Sequence, residues 1–160
     1  MIEAERIVLR ALTRDDAAAI VADDREGRPW AEDYPTPGDV MVATSALAGG
    51  HSFATDAAPW GLFTIAERSS DRDIGGIGFK STPSDLGEVE IGYGVCRTYW
   101  GRGVATDAVN AICEFASGRA RSVLAETDRA NVASQRVLEK CGFTRVKETD
   151  TMIRWRRELA

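Results

Sequence analysis

A chain of 160 residues has room for one domain with a real core and too little for two of ordinary size. Its net charge of −5 argues against a general nucleic-acid binder, and no apolar run reaches membrane-spanning length, so neither is an expected partner. The charge is uneven: residues 1–100 hold 9 basic and 17 acidic side chains (−8), and residues 101–160 hold 11 and 8 (+3). That split directs an anionic ligand to the second part and a cationic one to the first.

Taken in chain order, "RIVLRAL" alternates as a first strand. Thr13 reads as an N-cap with Asp16 as the capping-box partner, which opens a helix through "DDAAAIVADD". The polar, Pro- and Gly-rich "REGRPWAEDYPTPG" is a loop. "DVMVATSALAGG" follows as a second helix, stopped by Gly49 and Gly50. "WGLFTIAE" and "IGGIGFK" form an antiparallel hairpin, and "GEVEIGYGVC" a further strand whose internal glycines mark a bulge or a close approach. A third helix carries its apolar stripe on Ala105, Ala108, Val109, Ile112 and Ala116. "SVLAETD" is a strand. "NVASQRVLEKCGF" is a short helix capped by Asn131 and closed by Gly142, and "TRVKE" and "TMIRWRREL" end the chain as strands. The order predicts mixed α/β (α+β) with one central crossover, in a single domain over residues 1–160.

Cys96, Cys113 and Cys141 are odd in number and widely spaced, which predicts neither a disulfide framework nor a zinc site and fits a reducing cytoplasm. The N-terminal "MIEAERIVLRA" lacks the apolar region of a signal peptide. His51 is the only histidine, so a histidine triad or metal cluster has one residue to build on.

Chemistry concentrates in "YWGRGVATDAV". Two glycines, Gly101 and Gly103, flank Arg102 just where the third helix starts. A helix start leaves main-chain N–H groups without partners and adds partial positive charge; glycine lets a ligand approach them. The turn reads as an anion site or as a strand-to-helix turn that uses glycine for its backbone shape. A Walker A loop and a complete dinucleotide fingerprint are both absent.

This turn, with "IGYGV" before it and "NVASQRVLEKCGF" about thirty residues on, resembles the GNAT superfamily of acetyl-CoA-dependent N-acetyltransferases. It is most similar to the branch that acetylates the N-termini of ribosomal proteins. The family's Q/R-x-x-G-x-G/A turn corresponds to Trp100-Gly101-Arg102-Gly103-Val104-Ala105, with Trp100 departing from the pattern. The resemblance covers most of the chain and is weakest between Arg25 and Pro59. It implies a mostly antiparallel central sheet, split at a bulged strand and flanked by about four helices.

The resemblance further implies acetyl-CoA as cofactor. Amides of Gly101, Arg102, Gly103, Val104 and Ala105 would bind its diphosphate, and main-chain groups near Val95 and Cys96, with Asn131, its pantetheine arm. Ser134 is a candidate acid for the leaving thiolate, with water as the alternative, because Leu138 stands where many relatives carry a tyrosine. Glu90 is the first candidate base, with Glu88 on the same face. Glu32, Asp33 and Tyr34 form a second set on the acceptor side, and His51 is a further option. A lysine amine of pKa ~10.4 costs about 4.6 kcal/mol to neutralise at pH 7, an α-amine near 7.8 only about 1 kcal/mol. The expected function is acetyl transfer to a protein or peptide N-terminus or a small amine, by a monomer or homodimer. The alternative is a non-catalytic acyl-CoA-binding or interaction module on the same fold.

Overall fold

Eight strands pair into one sheet in the order β1-β2-β3-β4-β5-β6-β8-β7, described here from a computed structural model of residues 1–160. The strands are β1 (Ile2–Glu3), β2 (Ile7–Ala11), β3 (Leu62–Glu67), β4 (Asp73–Phe79), β5 (Glu88–Val95), β6 (Ser122–Asp128), β7 (Thr144–Glu148) and β8 (Met152–Glu158). The helices are α1 (Arg14–Ala22), α2 (Pro37–Leu47), α3 (Val104–Ala116) and α4 (Val132–Lys140). Every neighbouring pair is antiparallel except β5 and β6, which α3 joins as the one crossover. The predicted order of elements stands, with the two-residue β1 added at the front edge.

Local chemistry accounts for the boundaries. Thr13 and Asp16 close a capping box on α1, and Thr36 and Asp39 close a second on α2. The second box moves the start of α2 to Pro37, two residues ahead of the predicted Asp39, with proline in the first turn where its missing N–H costs nothing. The α3 stripe runs Val104, Ala108, Val109, Ile112, Cys113 and Ala116, so Val104 enters the core and Ala105 does not. Gly142, at φ 81°, follows α4, and Phe143 N–H bonds back to the Leu138 carbonyl at 3.0 Å. The last strand, β8, inserts between β6 and β7. Trp155 is 1% exposed there and donates its indole N–H to Thr127 at 2.9 Å, so it belongs to the core.

Two features of the sheet position the site. The first is where β5 and β6 separate. They are paired only over Glu88–Ser122, Val89–Val123 and Glu90–Leu124. Beyond Glu90, β5 continues in regular register with β4 as far as Val95–Gly75. The opening therefore arises because β6 departs, and the sheet's register shifts lie elsewhere, at Ile65/Ala66 and Arg145/Lys147. The second is a run of glycines, Gly76 and Gly78 on β4 and Gly92 and Gly94 on β5, which leaves one face of the sheet bare.

Candidate active site

Two clefts meet at Tyr93 and Gly94 of β5. Successive strand residues face opposite sides, so these two residues address both.

The larger cleft, about 580 Å³, runs from the end of β5 past the glycine turn to α4. Gly101 and Gly103 both adopt left-handed backbone conformations, at φ 74° and 78°, which answers why glycine stands twice at a helix start. Gly103 is the N-cap of α3 and supplies no side-chain cap. As a result, the N–H groups from Gly101 to Thr106 have no acceptor within the protein. A Cβ at Gly101 would meet open space, whereas one at Gly103 would come within 3.4 Å of the Arg6 guanidinium. Arg6 is held by Asp107 at 2.9 Å. Arg136 and Lys140 line the cleft without an ion pair, and Arg102 stacks on Tyr99 at 4.9 Å. Two cations of the positive second part of the chain, Arg136 and Lys140, thus stand free beside a row of free amides.

Along the gap, Lys80 N–H bonds Glu90 O and Cys96 N–H bonds Ile74 O. This alternation turns the main-chain groups of Tyr93 and Val95 toward the space β6 has left. It corrects the expectation for Cys96: its N–H is committed to Ile74, its carbonyl accepts from Tyr99 at 2.9 Å, and its side chain is fully buried. Of that pair only Val95 faces the gap. Trp100 packs here too, donating its indole N–H to the Val95 carbonyl at 2.7 Å.

Across the gap, Asn131 caps α4 by accepting the Ser134 N–H at 3.1 Å, and its side-chain amide has no acceptor in the protein. The Ser134 hydroxyl lies 2.6 Å from the Tyr93 phenol. Burial pushes that phenol up to about 12, so it keeps its proton through neutral pH. The sequence alone does not single out Tyr93. Period two puts it on the face of Val89 and Ile91, which reads as core, and only the departure of β6 exposes it. Leu138 is fully buried.

The smaller cleft, about 160 Å³, lies between α1, α2 and the bare glycine face. Tyr34 lines it and is 2% exposed; burial first, then the Asp39 and Asp73 carboxylates, push its phenol far up. Asp39, Thr36, Thr64, His51 and Lys80 also line it. The His51 ring nitrogen Nδ1 is 2.8 Å from the Ser45 hydroxyl.

The other acidic candidates fall elsewhere. Glu32 is exposed. Asp33 accepts from the Thr98 N–H and hydroxyl at 3.1 and 2.8 Å, tying its loop to the 3-10 turn Arg97–Tyr99. Of that set, only Tyr34 reaches the cleft. Glu90 lines neither cleft: one carboxylate oxygen pairs with Lys80 at 2.5 Å and the other with Arg154 at 3.1 Å. Arg154 also holds Glu126 of β6 at 3.1 Å, so the trio straps β5 to β6 where their pairing stops. Glu88 is held in turn by Arg156. All three cysteines are buried, and burial pushes their thiols up to about 12 (Cys96 and Cys113) and about 11 (Cys141), so none is a ready thiolate.

The family description "Acetyltransferase (GNAT) domain" matches residues 6–144. The chain belongs to the GNAT acetyltransferase family. A relative named as the N-acetyltransferase p20 of Bacillus licheniformis is 31% identical over 83 residues, 51% of this chain and 47% of that protein. The chain thus spans about half the length of that curated relative. Among solved structures, the ribosomal-protein-S5-alanine acetyltransferase of Vibrio fischeri superposes with a TM-score of 0.66 at 18% identity, covering 98% of this chain and 94% of that one. The spermidine N-acetyltransferase of Vibrio cholerae, solved in complex with CoA and spermine, gives 0.65 at 15% identity, over 96% and 95%. At these identities the structural likeness speaks for the GNAT fold alone. No helix in the chain is long and apolar enough to cross a membrane.

Proposed function

We propose that the protein transfers an acetyl group from acetyl-CoA to a primary amine by direct attack. The observation that carries this reading is the row of partnerless amides from Gly101 to Thr106, opening into a gap that ends where the second cleft begins. Gly101, Arg102, Gly103, Val104 and Ala105 would hold the diphosphate, with Thr106 adding one amide more. The free Asn131 amide and the main chain of Val95 would hold the pantetheine arm, the Trp100 indole yielding the Val95 carbonyl when the arm enters. Bound there, acetyl-CoA supplies the thioester. The acceptor comes from the glycine-floored cleft on the other side of β5.

The reaction forms an N–C bond and breaks the C–S bond. An acceptor arriving as ammonium gives up one proton before attack and a second from the tetrahedral adduct, and the departing thiolate takes one up. The Val95 N–H, facing the gap, would donate to the developing oxyanion. The Ser134–Tyr93 hydroxyl pair would hydrogen-bond the leaving sulfur. A phenol near 12 does not surrender its proton to a thiolate of ordinary pKa ~8.5, so the pair stabilises the sulfur while the proton arrives through water. Glu90 must release Lys80 or Arg154 before it can accept a proton, and we assign it to the strap. The amine proton then leaves to solvent, which favours an acceptor whose amine is partly neutral at pH 7, such as an α-amine.

A second reading keeps the fold and drops the chemistry: an acyl-CoA-binding module. Trp100 on the Val95 carbonyl and the engaged Glu90 favour it. Release of free thiol from acetyl-CoA against a panel of primary amines separates the two. Amine-dependent release supports transfer, and saturable acetyl-CoA binding with no release from any amine supports the module.

A further inference from the structure

The second capping box leaves one atom over. Both hydrogen bonds from Thr36, N–H at 2.9 Å and hydroxyl at 2.8 Å, converge on Asp39 Oδ2. Oδ1 accepts nothing from the protein. It lies against the bare sheet at Gly76, where an added methyl group would come within 2.6 Å of it. The residue lines the smaller cleft. Other charged or titratable groups there are spoken for: Lys80 is paired with Glu90, and His51 bonds Ser45. The first turn of α2 favours the Asp39 anion through the helix dipole, while burial works against it and raises its carboxyl. Asp39 is only partly buried and its Oδ1 is open to solvent, so water completes it in the empty cleft and a cation entering there can take that water's place.

We propose that Asp39 Oδ1 is the counter-ion for the acceptor's ammonium group, and that this pocket selects a compact primary monoamine over a polyamine. The proposal rests on the acetyl-transfer reading for what happens next, but the binding step stands apart from it. A volume of about 160 Å³ admits roughly one benzene-sized group. Asp39 is the only acidic residue among those lining the cleft, so one ammonium finds a counter-ion there and a second positive charge finds none. Two kinds of molecule offer the same ammonium: a free small amine and the α-amino end of a peptide with a small first residue.

The test is equilibrium binding, followed without turnover by ligand-observed NMR or calorimetry. The probes are benzylamine, benzyl alcohol, spermidine and an alanine-first tripeptide. Wild-type protein should bind benzylamine or the tripeptide at least tenfold tighter than benzyl alcohol, and spermidine more weakly than the better of the two monoamines. Asp39→Asn preserves side-chain size and an oxygen for the cap. It should erase the preference for ammonium while leaving acetyl-CoA affinity within twofold. Gly76→Ala keeps Asp39 and fills the space beside Oδ1, and it should weaken ammonium binding equally. If Asp39→Asn fails to fold, Gly76→Ala decides between the outcomes alone. Equal binding of benzylamine and benzyl alcohol by wild type overturns the proposal, as does wild-type ammonium binding by folded variants. Tighter binding of spermidine overturns the monoamine selectivity. Asp39-dependent ammonium binding without thiol release from any amine would sustain this inference and sink the transfer reading.

Discussion

The two clefts on either side of β5 are built from different materials. The larger has one wall of main chain, with amides left over at a helix start, carbonyls and N–H groups left over where β6 departs, and glycines that let a ligand reach them, faced by side chains of α4. The smaller is made of side chains drawn from distant elements, Tyr34 from a loop, Asp39 from α2 and Thr64 from β3, laid over a sheet face cleared by glycine. A site of the first kind depends on backbone shape and tolerates changes of side chain. A site of the second kind can change its ligand by changing one or two side chains without disturbing the fold.

The sharpest way to break this division is Gly103→Glu. The substitution forces a side chain onto a left-handed backbone and puts an anion beside the free amides. Acetyl-CoA affinity, measured by calorimetry, should fall at least 100-fold, about 2.7 kcal/mol, while ammonium binding in the smaller cleft stays within twofold. Unchanged acetyl-CoA affinity in a folded variant would mean that the diphosphate binds elsewhere.

The complementary change acts on the acceptor side. The loop carrying Tyr34 is fastened through Asp73, whose N–H bonds the Pro29 carbonyl at 2.7 Å and whose carbonyl accepts from Ala31 at 3.0 Å; the Asp73 carboxylate pairs with Arg10. Burial pushes that carboxyl up to about 6, against the pull of Arg10. A raised carboxyl gives stability that is full below its unfolded pKa of ~3.9 and is lost as pH rises through 6. Arg10→Met removes the counter-charge and raises the group further. Below pH 6 the carboxyl is protonated in both proteins, so this charge effect separates them little. Above pH 6 the variant should fall behind, by about 2 kcal/mol at pH 8, between the surface and buried limits for an ion pair. Melting temperatures from pH 5 to pH 8 should therefore diverge, with acetyl-CoA affinity held. A constant gap across that range would remove Asp73 as its cause.

Where the clefts meet, Ser134→Ala and Tyr93→Phe should each lower kcat about tenfold, and the double variant should lower it no further than the worse single one. Two hydroxyls 2.6 Å apart would, under the proposed transfer, act on one sulfur as a unit. Multiplicative losses would give them separate roles.

The same division governs what could be read from the sequence. The glycine turn, the Asn131 cap and the stripe of α3 are local patterns, and each stands where the sequence places it, apart from the one-residue shift that puts Val104 rather than Ala105 in the core. The acceptor side depends on contacts between residues far apart in the chain. Tyr34 is buried because Arg25 holds the carbonyls of Ala31, Glu32 and Tyr34, which no periodicity encodes. Asp39 shows why even a legible pattern can be incomplete. Thr36-Pro37-Gly38-Asp39 has the spacing of a capping box, although Thr36 to Gly38 read as loop in the sequence, and nothing local says that one carboxylate oxygen will be left over above Gly76. Cys96 drops out as an arm-binding residue for a similar reason: adjacency to Val95 suggests shared function, yet strand pairing turns neighbours in opposite directions.

Glu90 poses the finest test, because its position on β5 suits a base while its partners suit a strap. As a base, Glu90→Gln would cost about 100-fold or more in kcat, with an acidic limb lost from the pH profile. As a strap, the loss is of two half-exposed ion pairs, less than about 1 kcal/mol, and it falls on the geometry of the gap. The expected result is a kcat within threefold of wild type, an acetyl-CoA KM raised two- to threefold, and the same modest KM change in Arg154→Gln, which breaks the strap from the β8 side and leaves the Glu90 carboxylate in place. A base would separate the two variants. Arg154→Gln would then leave kcat intact or raise it by freeing the carboxylate, and Glu90→Gln would abolish it. Parallel behaviour marks Glu90 as a positioning residue, whose effect on the cofactor is to tie β5 to β6 at the point where the gap opens.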